Sequence, residues 1–337
     1  MTSSSQISRL SLSDSNALKG VALLFLLCHH LFYKPNGLYD EVVVKGHLVM
    51  LELGALSKVC VAIFVFLSGY GLMIQTLSKE GTVDWKAFFV RRFKKLFLNY
   101  WLIWLIFVPI SYFCFDMTFT GSYRQDVGVH LFADLLGIHS LVFCRPGDVT
   151  CYNPTWWFYA CIILLYVLFP LLYRLVRRDA LLVVLAALVI SLLPLSFLQV
   201  IRFYILAFVF GMMMVITEIP VPGHQLRYLY LPVLALLMFF RTMTSYPLLM
   251  DCFITLGLVQ VYRAFSLPAV LSKGLVFLGK HSMNIFLFHT FIFYFWFRDF
   301  IYASRNPLII FLTLLVVCVI ISMLLEQVKK YTVNKLI

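Results

Sequence analysis

Five side chains carry a charge or an imidazole into apolar sequence, and their spacing sets the chemistry open to them. Lys19 and His30 bracket the run "ALKGVALLFLLCHHLF", residues 17–32. On a helix they are about three turns plus 20° apart, so they share one face, separated by about 16 Å along the axis. His29 points roughly 80° away from that face. A cation and an imidazole on one line suit a ligand with an anionic head and a long arm. Arg92 and Lys95, in "FVRRFKKLFLNYW", lie i,i+3 on one face and can grip phosphates as a pair. His289, in "FLGKHSMNIFLFHTFIFYFW", stands about 21 Å along its helix from Leu275, a depth similar to that of His30. An imidazole near neutral pH suits a general base. Plainer readings exist for each group. A lysine at a helix start snorkels to head groups, a histidine can bond a neighbouring helix, and a basic cluster can simply set topology.

Such groups need elements to position them, and composition says which. The chain has 337 residues, 62% of them hydrophobic and 12% charged, with a mean hydropathy of +0.95. A soluble domain carries about twice that charge. The apolar runs approach the roughly 20 residues that cross a hydrocarbon core, and runs such as "LLVVLAALVISLLPL" lack the alternation of a barrel strand. The expected fold is therefore all-α, a polytopic integral membrane bundle. About ten transmembrane helices are expected, at 17–33, 57–77, 88–114, 156–175, 180–197, 200–217, 227–241, 247–263, 275–297 and 307–328. The short apolar stretch 130–143 reads as interfacial or re-entrant. A cytoplasmic N-terminus puts 18 of the 27 Lys and Arg residues inside, the positive-inside bias. Both termini are then cytoplasmic, and the net charge of +12 reflects topology, with no nucleic-acid partner implied.

Three segments follow: a Ser-rich, disordered cytoplasmic tail at 1–16, a membrane domain at 17–330 whose outer segment is 115–155, and a short cytoplasmic tail at 331–337. No small-residue cleavage site follows the first helix, so that helix is expected to stay as an anchor. The eight cysteines include no CxxC pair, so neither a metal nor a redox dithiol is indicated. Cys144 and Cys151 share the outer segment, where a disulfide can form in an oxidising compartment. Ser68, in "FVFLSGYGL", stands beside Gly69 and Gly71, a pattern of close helix packing. As a nucleophile it would need a base within reach. Trp156 and Trp157 open a helix where an outer aromatic belt is expected, or where an acceptor site is lined. Asp251 and Glu326 lie near helix ends and could orient a histidine.

Taken in order, these phrases resemble the acyltransferase 3 family of membrane acyltransferases over nearly the whole chain. The family has a basic residue, ten residues and a histidine in its first helix, here Lys19 and His30, with Lys where Arg is usual. "FVFLSGY" is similar to its FFxLSGF phrase. Arg92, Lys95 and "LNYW" stand where it has R-x-x-R and P-x-Y-W, with the second Arg and the Pro replaced. "WWF", "FYILAFVFGMMM" and "LGKHSMNIFLFH" match later phrases, the last placing His289 at the family's histidine. The Lys replacements keep the charge and lose the bidentate geometry of Arg.

The resemblance implies transfer of an acyl group, acetyl by default, from cytoplasmic acyl-CoA such as acetyl-CoA to a hydroxyl of an extracytoplasmic glycan, for example capsule or O-antigen. It implies a location in the bacterial cytoplasmic (inner) membrane, a role in polysaccharide O-acetylation of the cell envelope, and no metal. Lys19, Arg92 and Lys95 would hold the donor phosphates. His30 would be the general base and His289 would orient the acceptor or stabilise charge. Trp156, Trp157 and Ser68 would touch substrate, and a homodimer is left open. Two other readings remain at this point. One is a transporter or flippase of a lipid-linked sugar or small polar solute, although inverted repeats are not evident. The other is a non-catalytic scaffold of a glycan-assembly complex.

Overall fold

An apolar chain in lipid must satisfy each backbone N–H and C=O within its own segment, which favours helices. The computed structural model describes residues 9–34, 37–78, 83–123, 125–143, 151–193, 199–217 and 226–332, and these are almost wholly helical. Helix α1, Leu12–Phe32, starts five residues before the expected boundary at 17. The reason is local. Ser11 and Asp14 form a capping box, with Ser11 N donating to Asp14 Oδ2 at 2.8 Å and Asp14 N to Ser11 Oγ at 3.1 Å. A hairpin of Val43–Val44 (β1) and His47–Leu48 (β2) follows. Its turn residues Lys45 and Gly46 both have positive φ, the geometry that matches strand twist in a two-residue turn.

The next span is longer than expected. It runs Val49–Leu77, as α2 (Val49–Leu56), one 3-10 turn (Ser57–Val59) and α3 (Cys60–Leu77). Helix α4, Trp85–Cys114, is capped by Asp84, whose side chain accepts from Ala87 N. The segment expected on the outer side, 115–155, holds α5 (Phe119–Tyr123), α6 (Val127–Leu135) and α7 (His139–Val142). The apolar stretch 130–143 is thus two short helices broken at Gly137, which has φ +65 and lies against the Tyr159 ring. A 3-10 turn, Pro154–Trp156, leads into α8, Trp157–Arg178. Then come α9 (Ala180–Leu192), α10 (Gln199–Arg202), α11 (Ile205–Ile216), α12 (Tyr230–Met243) and α13 (Pro247–Ala264). Helix α14, Ala269–Thr290, continues as π-helix over Phe291–Trp296. Helices α15 (Arg298–Tyr302) and α16 (Pro307–Thr332) complete the described chain.

Among the described residues, eight helical segments are long and apolar enough to cross a membrane. The segments expected at 180–197 and 200–217 correspond to shorter apolar helices, Ala180–Leu192 and Ile205–Ile216. Thirteen residues rise about 20 Å, less than the roughly 30 Å of a hydrocarbon core.

The chain divides into two units. The first comprises Met1–Phe25, Leu56–Val83 and Leu164–Lys280, and the second Leu26–Ala55, Asp84–Ile163 and His281–Ile337. In the first, α3 and α11 touch backbone to backbone. Gly69 sits against the Phe208 carbonyl and Gly211 against that of Phe66, so a Cβ at either would collide with main chain. Gly20 on α1 and Gly279 on α14 make the same kind of approach, to the carbonyls of Leu275 and Asn16. Small residues of this kind replace the hydrophobic drive that lipid cannot supply. The second unit is built on stacked aromatic side chains. Phe107 of α4 stacks on Phe288 and on Trp296, with ring centroids 5.1 Å apart in each case.

Candidate active site

The site grows from the last turn of α1. Its final carbonyls lack partners within the helix. The Tyr302 hydroxyl donates to Leu31 O at 3.1 Å and the Tyr39 hydroxyl to Phe32 O at 3.2 Å, so this turn is held firmly. It carries both adjacent histidines, and they do different things. His29 is buried, and its Nδ1 is 2.8 Å from the Gly54 carbonyl. Gly54 itself lies against the backbone of Phe32 and Tyr33, an approach that only glycine permits. His30 is half-buried and turned the other way, with its ring centroid 4.9 Å from that of His289.

His289 comes from α14 and is fully buried. Its Nδ1 lies 3.0 Å from the carbonyls of both Ile285 and Phe286. Carbonyls only accept, so Nδ1 carries the proton and Nε2 of the neutral ring is a bare lone pair. That Nε2 is buried and has no hydrogen-bond partner. The helix beneath it is braced. The Trp156 indole N–H donates to the Leu287 carbonyl at 2.9 Å, and Asn153 Nδ2 donates to the same oxygen at 3.3 Å. Thr155 Oγ1 is 3.3 Å from Thr290 Oγ1. Directly after Thr290 the helix widens into its π segment, a feature that recurs at functional sites.

Helix α4 carries the basic cluster. Arg91, Lys94 and Lys95 are exposed, whereas Arg92 is half-buried. The Arg92 guanidinium lies 5.9 Å from the centroid of the buried Phe88 ring. Lys95 is within electrostatic reach of Lys329 on α16. Lys329 donates to Asn284 Oδ1 and to Glu326, while Asn284 Nδ2 donates to Glu326 Oε1 and to Ser322 Oγ. That network ties α14 to α16 and accounts for Glu326, which bonds Asn284 and Lys329. Further along α4, Asn99 has both amide atoms buried and without a hydrogen-bond partner. Sequence reasoning passed over it. The available signal was a lone carboxamide seven residues beyond Arg92 in an apolar helix.

The other candidate residues are placed as follows. Lys19 is half-buried on α1, and it belongs to the first unit with Ser68. Ser68 Oγ donates to the Phe64 carbonyl of its own helix at 2.9 Å. Trp156 is buried against Tyr100 and Phe291 rather than spread along an interface. Trp157 is half-buried, and its ring meets Phe158 edge-on. Asp251 pairs with Arg241 and not with a histidine. Cys144 lies outside the described residues, and Cys151 Sγ is 3.2 Å from the Asn153 carbonyl.

Comparisons with known proteins bear on this arrangement. The acyltransferase domain of the acyltransferase 3 family matches residues 12–327. The acyltransferase MdmB of Streptomyces mycarofaciens is 30% identical over 129 residues, which is 38% of this chain and 32% of that protein. The chain thus spans about a third of that relative's length. No solved structure matches. A domain match that begins with α1 and ends within α16 takes in both histidines, the basic face of α4 and the helices that hold them, so the chain belongs to the acyltransferase 3 family.

Proposed function

We propose that this multi-pass membrane protein transfers an acyl group, acetyl by default, from cytoplasmic acyl-CoA to a hydroxyl of an extracytoplasmic glycan. The observation that carries this reading is the imidazole pair. His30 and His289 meet inside the bundle, and Nε2 of His289 is a buried, unpartnered lone pair. His30 acts as the general base. It takes the proton from the acceptor hydroxyl as that oxygen bonds to the acyl carbon. The carbon–sulfur bond then breaks, and the same imidazole returns the proton to the departing sulfur. His289, its Nδ1–H tied to Ile285 and Phe286, holds His30 or the acceptor hydroxyl in line. Arg92 and Lys95 hold the donor's phosphates. The 16 Å or so between Lys19 and His30 on one helix suits the phosphates and thioester of one donor.

In this proposal the outer segment 115–155 receives the sugar. Trp156, bonded to Leu287, acts on α14 rather than on substrate, and Trp157 keeps its place as a candidate contact. Ser68 spends its hydroxyl on Phe64, which favours direct transfer without an acyl-serine. The inner bacterial membrane is the proposed location. Two measurements together test the reading: acetyl-CoA turnover by purified protein in detergent, and NMR of surface glycan from cells carrying wild type or His30→Ala. Turnover and O-acetyl signals that both vanish in His30→Ala support it. A wild type that turns over no acyl-CoA points instead to the transporter, and unchanged O-acetyl signals remove His30 as base.

A further inference from the structure

Burying a carboxamide without partners costs on the order of 1–3 kcal/mol, and Asn99 pays it at both its nitrogen and its oxygen. The residue is half-buried, with its amide atoms enclosed. Its helix face carries Phe88, Leu96, Ile103 and Phe107, all buried, and its neighbour Tyr100 is fully buried against Tyr159. A leucine there would pack as well and leave nothing unsatisfied. Tyr100, by contrast, gives its hydroxyl to the Asp134 carbonyl, and the exposed Trp101 gives its indole N–H to the Leu135 carbonyl. The three successive residues Asn99, Tyr100 and Trp101 thus differ in one respect: the amide alone lacks a hydrogen bond.

The position of Asn99 along the helix says what it waits for. Seven residues separate it from Arg92, which is 20° short of two turns and about 10 Å of rise. Arg92, Lys95 and Asn99 therefore form one stripe on α4, with cations at one end and a carboxamide at the other. A side chain that offers one acceptor and two donors in a plane is complementary to a secondary amide. The pantetheine arm of coenzyme A carries two such amides between its phosphates and its sulfur. We propose that Asn99 binds an amide of that arm, pairing with its N–H and C=O while Arg92 and Lys95 hold the phosphates. This assignment rests on the acyl-CoA reading above and adds to it the residue that recognises the arm.

The test compares two ligands on three proteins in detergent. Coenzyme A carries the arm, and adenosine 3′,5′-bisphosphate carries nucleotide phosphates without it. Asn99→Leu should raise the Kd for coenzyme A about tenfold, one hydrogen-bonded amide's worth, and leave the Kd for the bisphosphate unchanged. Arg92→Ala should weaken both ligands. The melting temperature of unliganded Asn99→Leu should equal or exceed that of wild type, because nothing is broken in the empty protein. A lower melting temperature would mean a structural role and overturn the assignment. So would equal losses for the two ligands, or no loss for either. Wild-type protein that binds neither ligand would remove the donor reading itself, and Asn99's role with it.

Discussion

Among the described residues, two of the places that bury polar groups between apolar helices treat them oppositely. In the first unit, Arg241 of α12 and Asp251 of α13 form an ion pair at 2.5 Å, with Asp251 wholly buried. The carboxylate takes a second contact from the same guanidinium at 3.3 Å, and Lys58 stands within electrostatic reach of both groups. In the second unit, His289 and Asn99 keep polar atoms buried and unpaired. A closed cluster answers its own desolvation and holds its helices in place. Open groups carry an unmet cost that a ligand can relieve. The first arrangement serves architecture and the second is the one proposed as a site, and four expected outcomes sharpen or break that distinction.

The largest effect belongs to the closed cluster. Asp251→Ala strands the Arg241 charge beside that of Lys58, at a cost of about 3–5 kcal/mol, and should appear as a steep loss of melting temperature in detergent. Replacing all three charges together, Arg241→Met and Lys58→Met with Asp251→Leu, should recover most of it. If the triple variant stays as unstable as the single one, the cluster is not a closed unit. Next comes His30→Ala. It should lower acyl transfer at least about 100-fold, the usual contribution of a general base, with the melting temperature unchanged. A parallel fall in melting temperature would move His30 into the architectural class.

Trp156→Phe removes one brace from the Leu287 carbonyl, worth about 1 kcal/mol. Because Leu287 lies two residues before His289, kcat should fall severalfold while KM for the donor holds. A change in KM alone would return Trp156 to substrate contact. The smallest effect lies between α5 and α7. Burial raises the Asp134 carboxyl to about 6, against hydrogen bonds from Tyr123 and the Tyr152 N–H, and burial beside His130 lowers His139 to about 4. A raised carboxylic acid stabilises the fold at low pH and loses that contribution as pH climbs toward 6. A lowered histidine does the reverse, stabilising above 6.5 and losing it as pH falls toward 4. The two slopes oppose each other between about pH 4 and 6. Wild-type melting should be nearly flat there, while Asp134→Asn should melt lower as the medium is acidified. A flat profile in Asp134→Asn would show that His139 does not titrate as described.

Much of the frame was legible in sequence. Apolar runs of the right length announced the long spans, because bilayer thickness leaves a chain few alternatives. The earlier start of α1 was also readable, since Ser11 and Asp14 have the spacing of a capping box. What could not be read was which neighbour each polar group would find. His29 and His30 are adjacent and identical in type, and only the approach of Gly54 to the end of α1 separates them. Trp156 suits an interface by residue type, but the Leu287 carbonyl claims it. Asn99 looked like any polar residue in a helix until its surroundings were known to offer it nothing.

By itself the sequence determined the solvent this chain folds in, the helical state of its spans and the face shared by Lys19 and His30. These follow from composition, hydropathy and the 100° step of a helix, all local properties. Only the tertiary structure decided that His30 meets His289, that Arg241 closes on Asp251 and that His289 Nε2 and the Asn99 amide stay open. A hydrogen bond within the bundle depends on which helices lie side by side and in what register. Within the first unit that register is held by glycines such as Gly69 and Gly211, where main chain meets main chain between segments far apart in sequence.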